Sequence, residues 1–415
     1  MAKTTIARCG FCGRPRNEVK NLISASDDGP FICNRCVEQS SKALLSAARD
    51  EAAKAEEPLR KPREIKALLD EHVISQEKAK IDVSVAVYQH YKRRDAIKRG
   101  LSPEGVDPQK SNILLMGPSG CGKTEVARTV ARMLNVPFYV GDATRLTQAG
   151  YVGDDVETLL QGLIQAADGD VERAEWGIIF LDEIDKLARK TGRGATGYRD
   201  VTGEGVQQAL LKILEGSEIV VPQGGGRILL GAPVQTIKTN NILFIGAGSF
   251  AGIEEVIEKR VNKSAGIGFG AGDRRKLTLS EVYSEVIEED VLEFGLIPEM
   301  MGRLPIITTV LELTEGEMVR ILTEPKNALV KQFQALYQMD GIDLQFDESA
   351  LRAIGCEAKK RPTGARALRS IIEDVLRPYS FDLPSDPSVR SIRITEEVVT
   401  KKAPAIIVRQ EAATG

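Results

Sequence analysis

The sequence predicts an α/β protein with a large parallel-sheet domain, a smaller, mainly helical α+β domain at the C-terminal end and a cysteine-rich ribbon at the N-terminal end. Three observations predict this arrangement. Short apolar runs alternate with amphipathic helical patterns through the middle of the chain, as in parallel sheets with helical crossovers. A glycine-rich loop lies between one such run and one such helix. Four of the six cysteines lie close together near the N-terminus.

Length and composition place the chain among ordinary globular proteins. Its 415 residues suggest about two or three domains. Hydrophobic residues make up 42%, charged residues 28%, and the net charge is −3. Nothing global therefore predicts binding to nucleic acid or to an acidic membrane. No apolar run reaches the roughly 20 residues that cross a bilayer, and the first residues lack the apolar stretch of a signal peptide. We expect a cytoplasmic protein without a membrane or nucleic-acid partner.

Composition divides the chain into four segments. We expect the ribbon at 8–46, a linker at 47–64, the large domain at 65–313 and the small domain at 314–408. The linker is predicted because its residues are dense in charge and include two prolines but almost no bulky apolar side chain. Such a segment cannot bury itself.

The clustered cysteines have the spacing C-x2-C-x20-C-x2-C and comprise Cys9, Cys12, Cys33 and Cys36. In the reducing cytosol this clustering indicates a metal rather than disulfides. The spacing fits a four-thiolate zinc site, because each C-x2-C turn presents two sulfurs to one ion. With four protein ligands the site is closed, so we expect a structural Zn²⁺. Redox use of either pair is the alternative, but neither pair lies in a βαβ context.

Four apolar runs of the large domain are predicted to be strands buried on both faces: 112–116, 137–140, 177–181 and 241–245. Helical patterns fall between them, such as the apolar face that repeats from Val156 to Ala167. Strands that alternate with helices predict a parallel sheet with right-handed crossovers.

The small domain is predicted from Thr314 onward, where the pattern becomes mainly helical. Thr314 and Glu317 form a predicted capping box at its first helix. Residues 342–346 and 389–394 are predicted strands.

The stretch GPSGCGKT matches the phosphate-loop pattern G-x-x-x-x-G-K-[ST] in full. It follows a predicted strand and opens a predicted helix, so the large domain is predicted to be a P-loop domain. The glycines let backbone N–H groups surround phosphates, and the helix dipole favours their negative charge. Lys123 adds a positive charge, and the Thr124 hydroxyl can hold Mg²⁺. We assign nucleotide binding to Gly117, Pro118, Ser119, Gly120, Cys121, Gly122, Lys123, Thr124 and Glu125.

An acidic pair follows the predicted strand at 177–181. Asp182 ends the strand and can help to hold Mg²⁺ opposite Thr124. Glu183 follows at once and can act as the general base that polarises an attacking water. The alternative is that both carboxylates only cap a following helix. The phosphate loop about sixty residues earlier favours the catalytic interpretation.

Peptide-bond chemistry is not expected. The chain has two histidines, His72 and His90, and each is interpreted as a helix surface residue. Neither G-x-S-x-G nor H-E-x-x-H occurs in the sequence. We therefore expect an ATPase without intrinsic peptidase activity.

These motifs resemble those of the ClpX family of AAA+ unfoldases, the ATP-binding subunits of the Clp protease. The resemblance runs from Cys9 to about residue 408 and includes GPSGCGKTEVART, DATRLTQAGYVGDDVE, IIFLDEIDK, GEGVQQALLKILEG, GIGFG, GLIPEMMGRLP and RPTGARALRS in the family's order. It implies ATP, Mg²⁺ and Zn²⁺ as cofactors and a homo-hexamer as the assembly. The implied partners are a ClpP-type peptidase, substrate proteins and adaptors.

The resemblance also implies roles at the nucleotide. Arg303 corresponds to the arginine finger that reaches the γ-phosphate of a neighbouring subunit; a structural ion pair is the alternative. Arg366 resembles the sensor-2 arginine, through which nucleotide state sets the angle between the large and small domains. Val73 and Ile74 lie in the segment that packs on adenine.

Three loops have implied roles in handling protein partners. Tyr151 and Val152 resemble the first pore loop, which grips a threaded chain; packing of Tyr151 on the following helix is the alternative. A second pore loop is implied for Arg199 and Asp200. The tripeptide that docks on the peptidase corresponds to Ile267, Gly268 and Phe269.

The chain departs from the family's pattern at three places. Ser75 replaces a common glycine in the adenine segment. The stretch at 223–233 lacks the Arg-Lys-His triplet of a substrate-collecting loop and retains only Arg227. The sensor-1 position follows the run at 241–245 and is not assigned. Substrate identity, ring symmetry and dimerisation of the ribbon stay open.

The resulting hypothesis is an ATP-dependent unfoldase that feeds substrate proteins through a hexameric pore to a separate peptidase. One alternative is an AAA+ ATPase that acts on DNA or assembles nucleoprotein complexes, for which DNA-stimulated turnover would be the sign. A second is a zinc-ribbon scaffold that binds ATP only to assemble. A base at Glu183 counts against that scaffold.

The pore assignment predicts that Tyr151→Ala separates hydrolysis from pulling. ATP turnover should persist because Tyr151 is not among the residues assigned to nucleotide binding or hydrolysis, while unfolding of a folded, tagged fluorescent protein should be lost. Fluorescence decay and phosphate release in the same reaction measure both. Retained unfolding would refute the assignment.

Overall fold

A computed structural model describes residues 7–24, 29–41, 44, 59–98, 109–147, 155–188, 203–223, 234–265 and 278–410, and the structural statements below concern these residues. The chain divides into two units, Met1–Leu59 and Arg60–Gly415, and each is described by itself. In the described part of the chain, no helix is both long and apolar enough to cross a membrane.

The first unit is a small ribbon with hardly any apolar core. Strand β1 (Leu22–Ser24) pairs antiparallel with β2 (Phe31–Cys33), and residues 34–41 form a helix, α1. Three cysteines are its buried core, and Val19, Leu22 and Ile32 only partly cover them. So small a core stabilises a fold only weakly. A cross-link between the cysteines would add the stability that the core lacks.

The second unit contains a five-stranded, fully parallel sheet with the order β4-β5-β8-β3-β9. The four predicted strands are confirmed, with ends that differ by at most three residues. A fifth, β9, and an antiparallel hairpin of β6 and β7 were not predicted. The strands are β3 (Ile113–Met116), β4 (Phe138–Asp142), β5 (Ile178–Asp182), β6 (Glu218–Pro222), β7 (Val234–Lys238), β8 (Leu243–Gly248) and β9 (Ile306–Thr309).

Helices cover the sheet and bury its apolar residues in one continuous core. The predicted helical face at 156–167 is confirmed, with Leu159, Leu160 and Leu163 buried. The helices of this part are α2 (Pro62–Asp70), α3 (Glu77–Lys98), α4 (Lys123–Leu134), α5 (Glu157–Ala166), α6 (Val171–Ala174), α7 (Glu204–Glu215), α8 (Ile253–Ala265), α9 (Leu279–Ser284), α10 (Glu288–Phe294) and α11 (Pro298–Arg303).

The smaller part has its own apolar core. The capping box is confirmed, since the Thr314 hydroxyl accepts from the Glu317 N–H at 3.2 Å. A three-stranded sheet joins the two predicted strands to an unpredicted third, β12. The elements are α12 (Glu315–Thr323), α13 (Leu329–Met339), β10 (Asp343–Phe346), α14 (Glu348–Lys360), α15 (Arg366–Asp382), β11 (Val389–Ile394), α16 (Glu396–Val399) and β12 (Ile406–Arg409).

The interpretation of both histidines as helix surface residues is wrong. His90 lies in α3 and is only 3% exposed, because the sheet and neighbouring elements cover this long helix. Burial lowers the pKa of His90 to about 3, so the ring is neutral. His72 is half-buried in the turn that follows α2.

A buried amide connects α7 to two turns. Gln207 is fully buried; its Nε2 donates to the Leu187 carbonyl at 2.7 Å, and its Oε1 accepts from the Ile297 N–H at 2.9 Å. Among the described residues, no backbone group bonds the Leu187 carbonyl or the Ile297 N–H, so the side chain satisfies both.

We predict that Gln207→Leu destabilises the large domain by about 1–3 kcal/mol, because two buried backbone groups lose their partner. Gln208→Leu is the control, since Gln208 is the exposed next residue of the same helix. Urea unfolding followed by circular dichroism measures the difference. Equal midpoints for the two variants would contradict the prediction.

Candidate nucleotide site and metal centre

The phosphate loop and the acidic pair lie at the same edge of the parallel sheet. Strand β8 lies between β3 and β5, and its register pairs Gly248 with Met116 and Gly246 with Leu181. The residues that follow β3 and β5 therefore leave the sheet side by side. This edge carries Gly117 on one strand exit and Asp182 on the other, the usual ligand-binding edge of an open α/β sheet.

The loop's glycines are required by close backbone approaches. A Cβ on Gly117 would lie 2.1 Å from the Val310 carbonyl oxygen, and one on Gly120 would lie 2.1 Å from that of Thr363. Both glycines also have positive φ angles, +142° and +76°. The Ala365 N–H donates to the Gly120 carbonyl at 3.3 Å. The loop is thus held between the exit of β9 and the turn that opens α15 in the small domain.

Lys123 is folded back onto its own loop. It is 9% exposed, and its Nζ donates to the Gly117 and Pro118 carbonyls at 2.6 and 2.8 Å. Burial lowers the pKa of Lys123, while the nearby carboxylate of Asp182 counteracts part of that shift. Phosphate oxygens would give the ammonium stronger, charged acceptors than these carbonyls.

The acidic pair adopts an unusual backbone at the strand end. Asp182 accepts the Glu183 N–H at 3.0 Å, and Glu183 is exposed with a left-handed φ of 58°. Non-glycine residues in this region cost about 1–3 kcal/mol and concentrate at functional sites. The Thr124 hydroxyl and the Asp182 carboxylate are oxygen ligands of the kind that Mg²⁺ takes.

Ser249, at the exit of β8, contacts Asp185, which lies two residues after Glu183. Its N–H and hydroxyl each donate to Asp185 at 3.1 Å. Asp185 is 6% exposed. Ser249 therefore orients the acidic segment from the neighbouring strand.

A pocket of about 450 Å³ extends from the loop towards α2 and the small domain. It brings together Val73, Ile74, Lys123, Thr124 and Arg366, which the sequence proposed for nucleotide binding. Its full lining is His72, Val73, Ile74, Gly120, Cys121, Gly122, Lys123, Thr124, Glu125, Arg128, Leu313, Ile321, Ala365 and Arg366. The sequence analysis missed five of these: His72, Arg128, Leu313, Ile321 and Ala365. Three of the five had a local signal: His72 adjoins Val73, Ala365 adjoins Arg366, and Arg128 lies one helical turn after Thr124.

The segment before α3 shows why its glycine could be replaced. Ser75 and Gln76 both have positive φ angles, 57° and 62°. The Ser75 hydroxyl donates to the Glu317 carboxylate of the small domain. The Gln76 amide bonds both backbone groups of Leu311, at 2.8 and 2.9 Å. Side-chain bonds thus hold a backbone that glycine would adopt without strain.

Arg303 does not line this pocket. It ends α11, just before β9, at the edge of the sheet where β3 and β9 begin. Its guanidinium pairs with Glu215 at 3.1 Å, and both side chains are more than 40% exposed. Its carbonyl accepts from the buried Asn112 amide at 2.8 Å. Within one chain, Arg303 makes the ion pair that the alternative interpretation anticipated.

The four thiols of the ribbon fit one tetrahedral metal ion. All four Sγ atoms lie within 4.8 Å of one another, with Cys9–Cys36 at 3.8 Å and Cys12–Cys33 at 3.7 Å. A tetrahedron with metal–sulfur bonds of about 2.3 Å has sulfur–sulfur edges of about 3.8 Å. Backbone N–H groups, first that of Cys12, lower the pKa of Cys9 to about 6, which favours the thiolate that Zn²⁺ binds.

Several proposed site residues lie outside the described residues. They are the pore-loop and docking residues Tyr151, Val152, Arg199, Asp200, Ile267, Gly268 and Phe269, together with Arg227.

Three family models match the chain: the AAA domain (Cdc48 subfamily) at 108–307, the ClpX C4-type zinc finger at 7–45, and the C-terminal, D2-small domain of ClpB protein at 313–395. Curated relatives match nearly the whole length. "ATP-dependent Clp protease ATP-binding subunit ClpX 3" of Methylococcus capsulatus is 46% identical over 98% of this chain and 95% of the relative. The ClpX proteins of Treponema denticola and Azotobacter vinelandii are 45% and 46% identical over 94% of this chain, covering 93% and 89% of their own lengths.

The sheet, the loop at its edge and the small domain that closes on the loop define an ATPase of the AAA class. The zinc-finger match and the full-length relatives narrow the AAA class to one family. The chain belongs to the ClpX family.

We predict that Cys33→Ser removes the bound zinc, because one missing thiolate opens a four-ligand site. Metal analysis of purified protein should give about one Zn²⁺ per wild-type chain and far less for the variant. Cys356→Ser is the control, since Cys356 is half-buried in α14 and belongs to the other unit. Equal zinc content in all three proteins would contradict the assignment.

Proposed function

We propose that the chain is the ATP-binding subunit of a Clp-type protease, and that it unfolds substrate proteins and passes them through a hexameric pore to a separate ClpP-type peptidase. The observation that carries this proposal is the meeting of three groups at one pocket. Lys123, Val73, Ile74 and Arg366 of the small domain all line it. In the proposal, Lys123 binds the phosphates, and Val73 and Ile74 contact the base. The relatives are ATP-binding subunits of Clp proteases by name, which supports a peptidase partner.

Lys123 and Thr124 of the pocket, with Asp182 and Glu183 at the same edge of the sheet, each have a distinct task in hydrolysis. Lys123 neutralises charge on the outer phosphates, and Glu183 accepts a proton from the attacking water. Thr124 and Asp182 would hold Mg²⁺, which when bound shields the phosphate oxygens from the incoming nucleophile. The exposed position of Glu183 suits a group that has to meet a water molecule.

Two features support a site that a neighbouring copy completes. Arg303 is half exposed and remote from its own pocket, so it can serve the pocket of another copy. Its ion pair with the exposed Glu215 is weak, on the order of 0.2–1 kcal/mol. A γ-phosphate is a stronger acceptor for a guanidinium, so the pair can be exchanged on assembly.

Contacts of the small domain support coupling of hydrolysis to movement. Ala365 bonds the phosphate loop itself, and Ser75 of the base-binding segment bonds Glu317 of the small domain. Nucleotide exchange at the loop therefore changes contacts that position the small domain. In a ring, such movement would be passed on to the pore loops.

We predict that Glu183→Gln lowers ATP turnover by about 100-fold or more, the usual contribution of a general base, while nucleotide affinity stays within about threefold. Steady-state phosphate release and equilibrium binding of a fluorescent ATP analogue measure the two quantities. Glu172→Gln in α6, an exposed acid on the helix that precedes β5, is the control. An unchanged turnover in Glu183→Gln would eliminate the base assignment.

A further inference from the structure

Lys80 is a buried lysine that the hydrolysis mechanism does not use. Its side chain is 2% exposed near the start of α3. The ammonium donates to Asp70 at 2.6 Å, to the Val73 carbonyl at 3.2 Å and pairs with Glu77 at 3.1 Å. All three of its protons therefore have acceptors, which a lysine needs in order to remain buried and charged.

The two carboxylates do not depend on Lys80 for a counter-charge. Lys66, on α2, pairs with Asp70 at 2.8 Å and with Glu77 at 2.7 Å and is 27% exposed. Among the contacts of this network, the bond to Val73 is the one that Lys80 makes and Lys66 does not. Lys80 thus holds a backbone carbonyl of the pocket lining.

The backbone groups of Val73 both have hydrogen-bond partners, whereas those of Ile74 do not. The Val73 N–H bonds Leu69 at 2.8 Å and its carbonyl bonds Lys80. Within the described residues, the Ile74 N–H and C=O have no hydrogen-bond partner, although Ile74 is only 6% exposed. Buried backbone groups require partners. Ile74 lines the nucleotide pocket at the end proposed for the base, and it also lines a second cavity of about 670 Å³ beside Lys80.

Ile74 lies between two fixed points. Lys80 holds the residue before it, and the Gln76 amide anchors the segment two residues later to Leu311. An adjacent N–H donor and C=O acceptor match adenine, whose ring nitrogen accepts beside an amino group that donates. Guanine presents the reverse order, a carbonyl that accepts beside a ring N–H that donates. A buried mismatch of this kind is strongly penalised.

We infer that Lys80 is a positioning residue that fixes the Ile74 backbone against the base and so sets the preference of the pocket for adenine over guanine. The inference rests on the proposed nucleotide site. Because the anchor is a buried ammonium that donates to the Val73 carbonyl, the Ile74 groups stay aligned before any nucleotide arrives, and binding does not have to order them.

The test compares Lys80→Met with Lys66→Met in the full chain. Competition of unlabelled ATP and GTP against a fluorescent ADP analogue gives both affinities. Lys80→Met should weaken ATP by about 10-fold, the value of one hydrogen bond of about 1.4 kcal/mol, and leave GTP within about twofold, so the ATP/GTP preference falls. Lys66→Met should keep the wild-type preference, since it leaves the Val73 carbonyl held.

Three results would overturn the inference: an unchanged preference in Lys80→Met, an equal loss for ATP and GTP, or the same fall in preference in Lys66→Met. Lys80→Gln decides the question in the same way if the Met variant does not fold. A wild-type chain that binds neither nucleotide refutes the proposed function as well. A selective wild type with an equally selective Lys80→Met refutes only the role of Lys80.

Discussion

Two backbone carbonyls, those of Val310 and Thr363, approach the phosphate loop so closely that no side chain fits at Gly117 or Gly120. One carbonyl follows β9 in the central sheet, and the other precedes α15 in the small domain. Because both contacts are made by backbone, they cannot be relieved by a change of rotamer. The loop conformation and the seating of the small domain therefore depend on each other. A ligand that reshapes the loop acts on the small domain without any intermediate element.

In the proposed mechanism, nucleotide binding is an exchange of contacts. Lys123 already has two carbonyl acceptors within its own loop, and Arg303 already has Glu215. The free energy gained from phosphates is the difference between charged and neutral acceptors, not the whole strength of the new bonds. Because only this difference is gained, the exchange can be reversed at each ATP turnover.

The sequence predicts the parts of the fold that have a local cause. Strands β3, β5 and β8 are continuous apolar runs because helices cover both faces of the sheet. Strand β9 was missed because it is four residues long and half of it is only partly buried. The hairpin of β6 and β7 has exposed positions on both strands and lacks an uninterrupted apolar run. His90 was misplaced because a polar residue type does not reveal that its helix is packed on several sides.

The residues of the site also divide into those with a local signal in the sequence and those without one. The phosphate loop and the four cysteines are short motifs whose spacing encodes their geometry, so the sequence indicated them directly. Gln76 bonds Leu311, 235 positions later, and Lys80 acts through a carbonyl rather than a motif. No periodicity or spacing marks such partners, because the fold alone brings them together. Ser75 is intermediate: its departure from glycine was visible, but its bond to Glu317 was not.

The dependence of the small domain on the phosphate loop is the central claim, and a distance measurement tests it most directly. Spin labels at Lys212 and Glu373, exposed positions on α7 and α15, report the separation of the two domains by pulsed electron paramagnetic resonance. In the Glu183→Gln background, which retains ATP, the account predicts different distance distributions with and without ATP. Identical distributions at saturating ATP would contradict it.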